Sequence, residues 1–130
     1  MTIEVGLTAA GSFTVGDADT AAALGSGDVP VLATPRLIAW SEAVTVRALG
    51  GHIADEATTL GTRVELDHVS ATAVGTEVTV DVVLSAVDGG NLRFDVHAWQ
   101  GADDVTIGRG VISRVLVDRE KFLGRLRGAG

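Results

Sequence analysis

The sequence predicts an α+β domain in which an antiparallel sheet of about five strands wraps around one long central helix. Residues 34–50 carry a long apolar stretch with start and stop signals for a helix, the hydrophobic period changes to two after residue 59, and tight turns follow. A helix this apolar must be covered on most of its circumference, and a curved sheet can cover it. This combination is the hot-dog architecture.

The chain begins with a strand candidate at residues 4–15, followed by a segment that has no sustained hydrophobic period. That segment, residues 16–33, is rich in Gly, Asp and Ala and has the sequence GDADTAAALGSGDVPVLA. Such a composition is typical of a loop. We therefore expect a flexible connector or lid between the first strand and the central helix.

The central helix is predicted at residues 34–50. Thr34 has a side-chain oxygen suited to a helix N-cap, and Pro35 fits the first helical position, where its missing N–H is not needed. Gly50 and Gly51 provide the stop signal. Capping alone would explain Thr34, but this position also lies at the positive end of the helix dipole, where a developing oxyanion would be stabilised.

Four segments with a period of two follow the helix and predict an antiparallel meander. The alternation in the second and third segments predicts one apolar face on each, formed by Val78, Val80, Val82 and Leu84 and by Leu92, Phe94, Val96 and Ala98. The turns DGGN at residues 88–91 and QGADD at residues 100–104 separate the last three of these segments. A short basic helix at residues 118–127 closes the chain and should pack through Phe122 and Leu126, which have helical spacing. The whole chain of 130 residues is thus predicted to be one domain.

Composition argues against several classes of function. The net charge of −7, from 10 basic and 17 acidic residues, argues against nucleic acid as a partner, because binding to its backbone needs clustered Lys and Arg. The absence of cysteine rules out disulfides, a thiolate nucleophile and a Cys-ligated metal. Apolar stretches are interrupted well before the roughly 18 residues of a membrane span, and the start lacks a secretory signal. We therefore expect a soluble cytoplasmic protein with no membrane partner.

Glu42 is unusual because it is a single carboxylate within the apolar arc of the predicted helix. Its neighbours on that arc include Ile38, Ala39 and Val46. An uncompensated buried carboxylate is costly, so Glu42 should have either a partner or a chemical role. One interpretation is a structural carboxylate bound by an arginine or a backbone N–H. The other is a group that accepts or passes on a proton.

His68 and Arg114 are two further ionisable side chains predicted to face the helix. His68 alternates with Val64 and Leu66, and it is the one histidine of the three that is placed in this way. Each residue also has a structural interpretation, as a core histidine with satisfied hydrogen bonds or as an arginine in an ion pair. A histidine and a carboxylate on two packed elements can instead form an acid–base pair.

Three motifs occur in the order TPRLIAWSEAVTVRAL, LGTRVELDHV and SRVLVDREKF. Together they resemble the fluoroacetyl-CoA thioesterase family of single-domain hot-dog proteins, over residues 33–122. That family has a Thr, a Glu eight residues later, a Gly-Thr pair, a His seven residues after the Gly, and an Arg before EKF. The matching positions in this sequence are Thr34, Glu42, Gly61, His68 and Arg114.

The resemblance implies a hot-dog homodimer that hydrolyses a small acyl-CoA, with CoA as part of the substrate and with no metal or other cofactor. It implies that Thr34, Glu42 and His68 form the catalytic group, and that Gly61 and Arg114 contact the acyl end of the substrate. An open edge strand also favours a dimer. The fluoroacetyl-specific member carries phenylalanines before the helix, whereas this chain has GSGDVPVLA there, so the resemblance does not extend to acyl specificity.

The sequence leaves two routes and two functions open. Thr34 can attack the thioester directly, or it can orient the attacking water. The alternative function is that of a non-catalytic hot-dog protein, which binds an acyl-CoA or another small apolar ligand in the same pocket. Release of free thiol from a panel of acyl-CoA substrates distinguishes hydrolysis from binding.

Overall fold

The computed structural model describes residues 2–129, and Met1 and Gly130, the ends of the predicted domain, lie outside the described residues. The strands of the described chain are β1 (Thr8–Thr14), β2 (Ala57–His68), β3 (Glu77–Asp88), β4 (Asn91–Gln100) and β5 (Val105–Asp118). Its helices are α1 (Ala21–Leu24), α2 (Thr34–Leu49) and α3 (Arg119–Ala129), with a 3₁₀ turn at Asp17–Asp19. Helix α2 packs against β1, β2 and β3 of one five-stranded sheet, so the predicted hot-dog fold is confirmed.

The strand order of the sheet is β1-β3-β4-β5-β2, and all neighbouring strands are antiparallel. The predicted four-strand meander is therefore wrong, because β2 pairs with β5 and not with β3. The connection at residues 69–76 crosses from β2 to the other side of the sheet, where β3 pairs with β1. A short turn forces its two strands to pair, but a longer connection does not. Strands β1 and β2 are the two edges of this sheet.

The core lies between α2 and the inner face of the sheet. The inward-facing residues predicted for β3 and β4 are confirmed, since all are buried: Val78, Val80, Val82, Leu84, Leu92, Phe94, Val96 and Ala98. Helix α2 adds Leu37, Val44 and Leu49 to the same cluster. Close packing of this kind resists displacement, so the core gives α2 and the sheet a fixed relative position.

Helix α2 begins at Thr34, but the prediction that Thr34 is its N-cap is wrong. The N-cap is Ala33, no side chain caps the helix, and Pro35 lies in the first turn. Thr34 does not cap because it belongs to the helix itself and its hydroxyl is hydrogen-bonded to His68. The predicted stop is confirmed, with Gly50 as the C-cap and Gly51 at φ 79°.

The connector between β1 and α2 contains the 3₁₀ turn and α1, and it is held at several points. Thr20 forms a bridge with Leu32 within the connector, and Val31 forms one with Ala73 after β2. Arg36 of α2 forms an ion pair with Asp19, with Nε of the arginine 3.0 Å from Oδ1 of the aspartate. These contacts hold the connector against the start of α2. The first strand is shorter than predicted and begins at Thr8.

Helix α3 follows β5 directly and contacts its end. Phe122 is half-buried as expected, but the predicted packing of Leu126 is wrong, since this side chain is 56% exposed. Every described side chain of α3 beyond Phe122 is exposed, because the helix has left the sheet after its first turn. None of the helices within residues 2–129 has the length and apolarity needed to cross a membrane.

Candidate active site

Thr34 and His68 meet where α2 begins and β2 ends. The hydroxyl oxygen Oγ1 of Thr34 lies 2.7 Å from Nδ1 of His68. Thr34 is the first residue of its helix and His68 is the last residue of its strand, so the packing of α2 on the sheet brings them together. A hydroxyl hydrogen-bonded to an imidazole is the arrangement of an activated nucleophile and its base.

His68 is suited to accept a proton. Burial lowers the pKa of His68 below its ordinary value of 6.5, and the backbone of Ser70 opposes this shift only in part. The ring is therefore neutral at pH 7, and its Nδ1 can accept the hydrogen bond from Thr34 while Nε2 carries the ring hydrogen. Nε2 is buried and has no hydrogen-bond partner among residues 2–129. The Thr34–His68 pair can thus form one more hydrogen bond, through Nε2 of His68.

A cavity of about 350 Å³ lies beside this pair. Thr34 and His68 form part of its wall, and residues of the connector and of the loop after β2 form the rest. The connector contributes Ala21, Ser26, Gly27, Val29, Val31 and Leu32. Among the lining residues that the structure describes, His68 alone has an ionisable side chain. The segment GSGDVPVLA, in which the sequence differs from the resembled family, therefore forms part of the wall of the cavity next to Thr34 and His68.

Glu42, in the middle of α2, and Arg114, on β5, form a second group. Nη1 of Arg114 donates to Oε2 of Glu42 at 3.2 Å. Nε of Arg114 donates to the hydroxyl of Thr59 at 2.9 Å, and Nη2 donates to the backbone carbonyl of Thr59 at 3.1 Å. Arg114 is only 6% exposed, and a buried guanidinium requires such partners. Both residues thus form an ion pair, which is the contact that the structural interpretation expects.

Gly61 belongs to the second group because its lack of a side chain leaves room for the carboxylate of Glu42. It lies opposite Arg114 in the pairing of β2 with β5, beside a register shift between Gly61 and Arg63. A Cβ atom at this position would overlap Oε2 of Glu42. A glycine is therefore required if the carboxylate is to lie against β2.

The two groups do not meet within one chain. Thr34 and Glu42 are separated by two turns of α2, which is about 12 Å along the helix axis. The Glu42 carboxylate is also held at the level of Gly61, seven residues before His68 on β2. The structure thus brings Thr34 to His68, and Glu42 to Gly61 and Arg114, but it does not bring all five predicted residues together.

Glu42 lies on an exposed apolar stripe of α2 and not on the side that faces the core. The stripe consists of Pro35, Ala39, Ala43 and Val46, which follow each other at intervals of three or four residues. The Glu42 side chain is 36% exposed, and Val46 is 51% exposed. The apolar arc that predicted a buried Glu42 is this surface, so the expectation that the chain itself buries Glu42 is wrong.

Two residues of the site were not found from the sequence. Thr59 binds Arg114, and its position two residues before Gly61, on the same face of β2, is a signal that was available. Ser70 contacts His68 from the loop after β2, where no periodic pattern indicates which backbone groups turn inward. The sequence therefore predicted the side chains of the two groups better than the contacts that surround them.

The chain is similar to thioesterases in sequence and in structure. The profile of a family described as fluoroacetyl-CoA-specific thioesterase matches residues 15–120. The fluoroacetyl-CoA thioesterase of Streptantibioticus cattleyicolor is 34% identical over 97 residues, which are 75% of this chain and 68% of that protein. A solved structure of a fluoroacetyl-CoA thioesterase has a TM-score of 0.90 at 29% identity, and the match covers 100% of this chain and 99% of the other. A variant of such an enzyme in complex with acetyl-CoA has a TM-score of 0.89 at 28% identity and covers 98% of each chain.

Proposed function

The chain belongs to the fluoroacetyl-CoA-specific thioesterase family of hydrolases, and on this premise we propose that it hydrolyses a small or short-chain acyl-CoA at a site shared by two copies of the chain. The observation that carries the proposal is the 2.7 Å hydrogen bond between Thr34 and His68 beside a cavity. The similar structure in complex with acetyl-CoA supports a CoA thioester as the substrate.

In the proposed reaction, Oγ1 of Thr34 attacks the carbonyl carbon of the thioester while Nδ1 of His68 accepts the hydroxyl proton. The carbon–sulfur bond then breaks, and the proton on His68 leaves with the CoA sulfur as a free thiol. Water attacks the resulting ester on Thr34, which releases the carboxylic acid and restores the hydroxyl. The hydrogen bond between Thr34 and His68 supports this route, because the ring can accept the hydroxyl proton during the attack.

A second copy of the chain supplies Glu42 to this reaction. Ile38 and Ala39 lie about midway between Thr34 and Glu42, so a two-fold axis passing near them sets Thr34 of one copy opposite Glu42 of the other. The small side chains of the exposed apolar stripe allow two helices to approach closely, and burial of the stripe favours this contact. Arg114 holds only Oε2 of Glu42, so Oε1 is available to accept a proton from the hydrolytic water.

Alanine variants test this proposal. Glu42→Ala, His68→Ala and Thr34→Ala should each lower turnover of short acyl-CoA substrates by roughly 10²- to 10⁴-fold, because each removes a group that moves a proton or attacks the carbonyl. The measurement is the release of free thiol, with circular dichroism to verify the fold. His97→Ala is the matched control, since His97 is an exposed histidine of β4 that faces away from α2.

Unchanged turnover in both Glu42→Ala and His68→Ala would contradict the proposal. Saturable binding of acyl-CoA by the unaltered chain, with no thiol released from any substrate, would identify a binding protein instead of a hydrolase.

A further inference from the structure

The cavity beside Thr34 and His68 leads us to propose that the site prefers a neutral aliphatic acyl group of roughly four to eight carbons to acetyl, fluoroacetyl and charged acyl groups. The inference rests on the proposed function and names the substrate class of the same site. Three properties of the site support it: the volume of the cavity, the chemistry of its wall, and the absence of a spare positive charge.

The cavity is larger than an acetyl group requires. Its volume is about 350 Å³. The cavity is open to solvent on one side, and a molecule of liquid water occupies about 30 Å³, so its walls enclose at most roughly ten non-hydrogen atoms. An acetyl group, with its two carbons and one oxygen, would leave most of the apolar lining atoms in contact with water. A longer acyl chain fills that space and still leaves room for the sulfur.

The wall of the cavity is apolar and uncharged. The connector supplies small side chains such as Ala21, Val29 and Val31, and Gly27 packs directly against Ala21. The polar side chains are two serine hydroxyls, Thr34 and His68, and the His68 ring is neutral at pH 7. An alkyl chain therefore meets methyl groups along the wall, whereas a carboxylate finds no cationic side chain among the described lining residues.

Arg114 does not provide the missing positive charge. Glu42 neutralises its guanidinium, and Thr59 occupies two of its three nitrogens. An acyl group with a carboxylate or a strongly polar substituent thus finds no unpaired cation in the part of the site that the structure describes. The closed contacts of Arg114 favour the same neutral class of acyl group as the cavity wall.

Hydrolysis of a defined panel tests the inference: acetyl-, fluoroacetyl-, butyryl-, hexanoyl- and succinyl-CoA, assayed by thiol release. We expect kcat/KM to rise by about fourfold per methylene from acetyl to hexanoyl, the equivalent of about 0.8 kcal/mol for each buried methylene. Succinyl-CoA should be at least about tenfold below butyryl-CoA. Highest activity on fluoroacetyl-CoA, or a fall in kcat/KM beyond acetyl, would overturn the inference. Absence of hydrolysis across the whole panel would instead contradict the proposed function.

A pair of variants tests whether the connector wall sets the preference. Val29→Phe fills the cavity from a side chain that is 50% exposed, so the fold should tolerate it. We expect the ratio of kcat/KM for hexanoyl-CoA to kcat/KM for acetyl-CoA to fall at least about tenfold. Val83→Phe is the matched control, because this exposed valine of β3 faces away from α2. An equal loss on all substrates, or none on hexanoyl-CoA, would show that the connector does not select the acyl group.

Discussion

At the start of α2, Thr34 and His68 share one hydrogen bond beside an open cavity, whereas in the middle of the helix Glu42 and Arg114 are held by a closed set of contacts. Nε2 of His68 is buried without a partner in the described chain, but every guanidinium nitrogen of Arg114 has an acceptor. The pair Thr34 and His68, called the open end, therefore has hydrogen-bonding capacity for a substrate. The pair Glu42 and Arg114, called the closed end, has its contacts already made and fixes the position of one carboxylate.

This contrast indicates a division of labour. A group that reacts must change partners during the reaction, so spare capacity around it is an advantage. A group that orients another must not move, so its hydrogen bonds should be satisfied before the substrate arrives. Substitutions at each of the two groups, and a change of pH, separate these two roles.

The largest effect on thiol release is expected from mixing two variants, one altered at the open end and one altered at the closed end. Thr34→Ala removes the open end and Glu42→Ala removes the closed end, so each variant alone should be inactive. If the two ends come from different copies, random pairing makes half of the dimers mixed, and each mixed dimer has one intact site out of two. We therefore expect thiol release to recover to roughly a quarter of the unaltered activity after the two variants are refolded together.

Each variant refolded with itself is the control for this experiment. Native mass spectrometry of differently tagged chains measures how many mixed dimers form. No recovery in a sample with verified mixed dimers would mean that the two ends act within a single chain.

Gly61→Ala should disturb the closed end alone. The added Cβ would overlap Oε2 of Glu42, and the carboxylate must then move away from β2. A displacement of about 1 Å at a catalytic group can lower turnover roughly 100-fold, so we expect a loss of this size in kcat. Gly124→Ala in α3 is the matched control, because a Cβ there meets nothing within 4 Å. Full activity in Gly61→Ala would show that the position of the carboxylate is not critical.

Thr59→Val tests whether Thr59 is a positioning residue that acts through Arg114. The variant removes the acceptor of Nε and leaves a buried donor unsatisfied, which costs about 1–3 kcal/mol. We expect kcat to fall roughly tenfold with little change in KM, because Thr59 contacts Arg114 and is not one of the cavity-lining residues. Thr59→Ser should restore kcat, and Thr58→Val, on the other face of β2, should leave it unchanged.

The effect of Thr59→Val should also disappear in the Glu42→Ala background, since Arg114 then has no carboxylate to position. An undiminished tenfold loss in that background would mean that Thr59 acts on the fold and not through this ion pair.

The smallest effect is expected from pH, and it concerns the open end. His68 must be neutral to accept the proton of Thr34, and burial lowers its pKa below 6.5. The base is therefore lost only as the pH falls below that value. Between pH 7.5 and 6.5 we expect kcat/KM to decrease by less than about twofold, with a steeper decrease at lower pH. A pH profile with an acid-limb midpoint above 6.5 would be inconsistent with a buried, neutral His68.

Local patterns were sufficient for the parts of the fold in which one face is buried. The alternation in β3 and β4 identified all eight of their buried apolar residues, because a strand covered on one side leaves a period of two in its sequence. The neighbour of β2 could not be predicted in this way. Its pairing with β5 depends on the path of residues 69–76 across the sheet, and no local pattern encodes that path.

Prediction of the site from local sequence patterns is limited in the same way. The alternation in β2 was sufficient to predict that His68 faces α2, but its predicted pairing with Glu42 is not found within one chain, and the apolar arc around Glu42 was assigned to the wrong surface. An apolar arc has the same pattern whether the chain itself covers it or leaves it exposed. The contact of Thr59 with Arg114 depends on the register of β2 against β5, including the shift between Gly61 and Arg63. Such a register is a property of the assembled sheet.

The start of α2 sets a limit on how far this chain can adapt to heat. The N-cap of the helix, Ala33, has no capping side chain, although such a cap typically stabilises a helix by about 1 kcal/mol. Ala33 is fully buried, so a residue such as Asp at this position would lose the hydration of its carboxylate, and that cost exceeds the gain from the cap. The packing that holds Thr34 beside His68 thus closes one common route to a more stable helix.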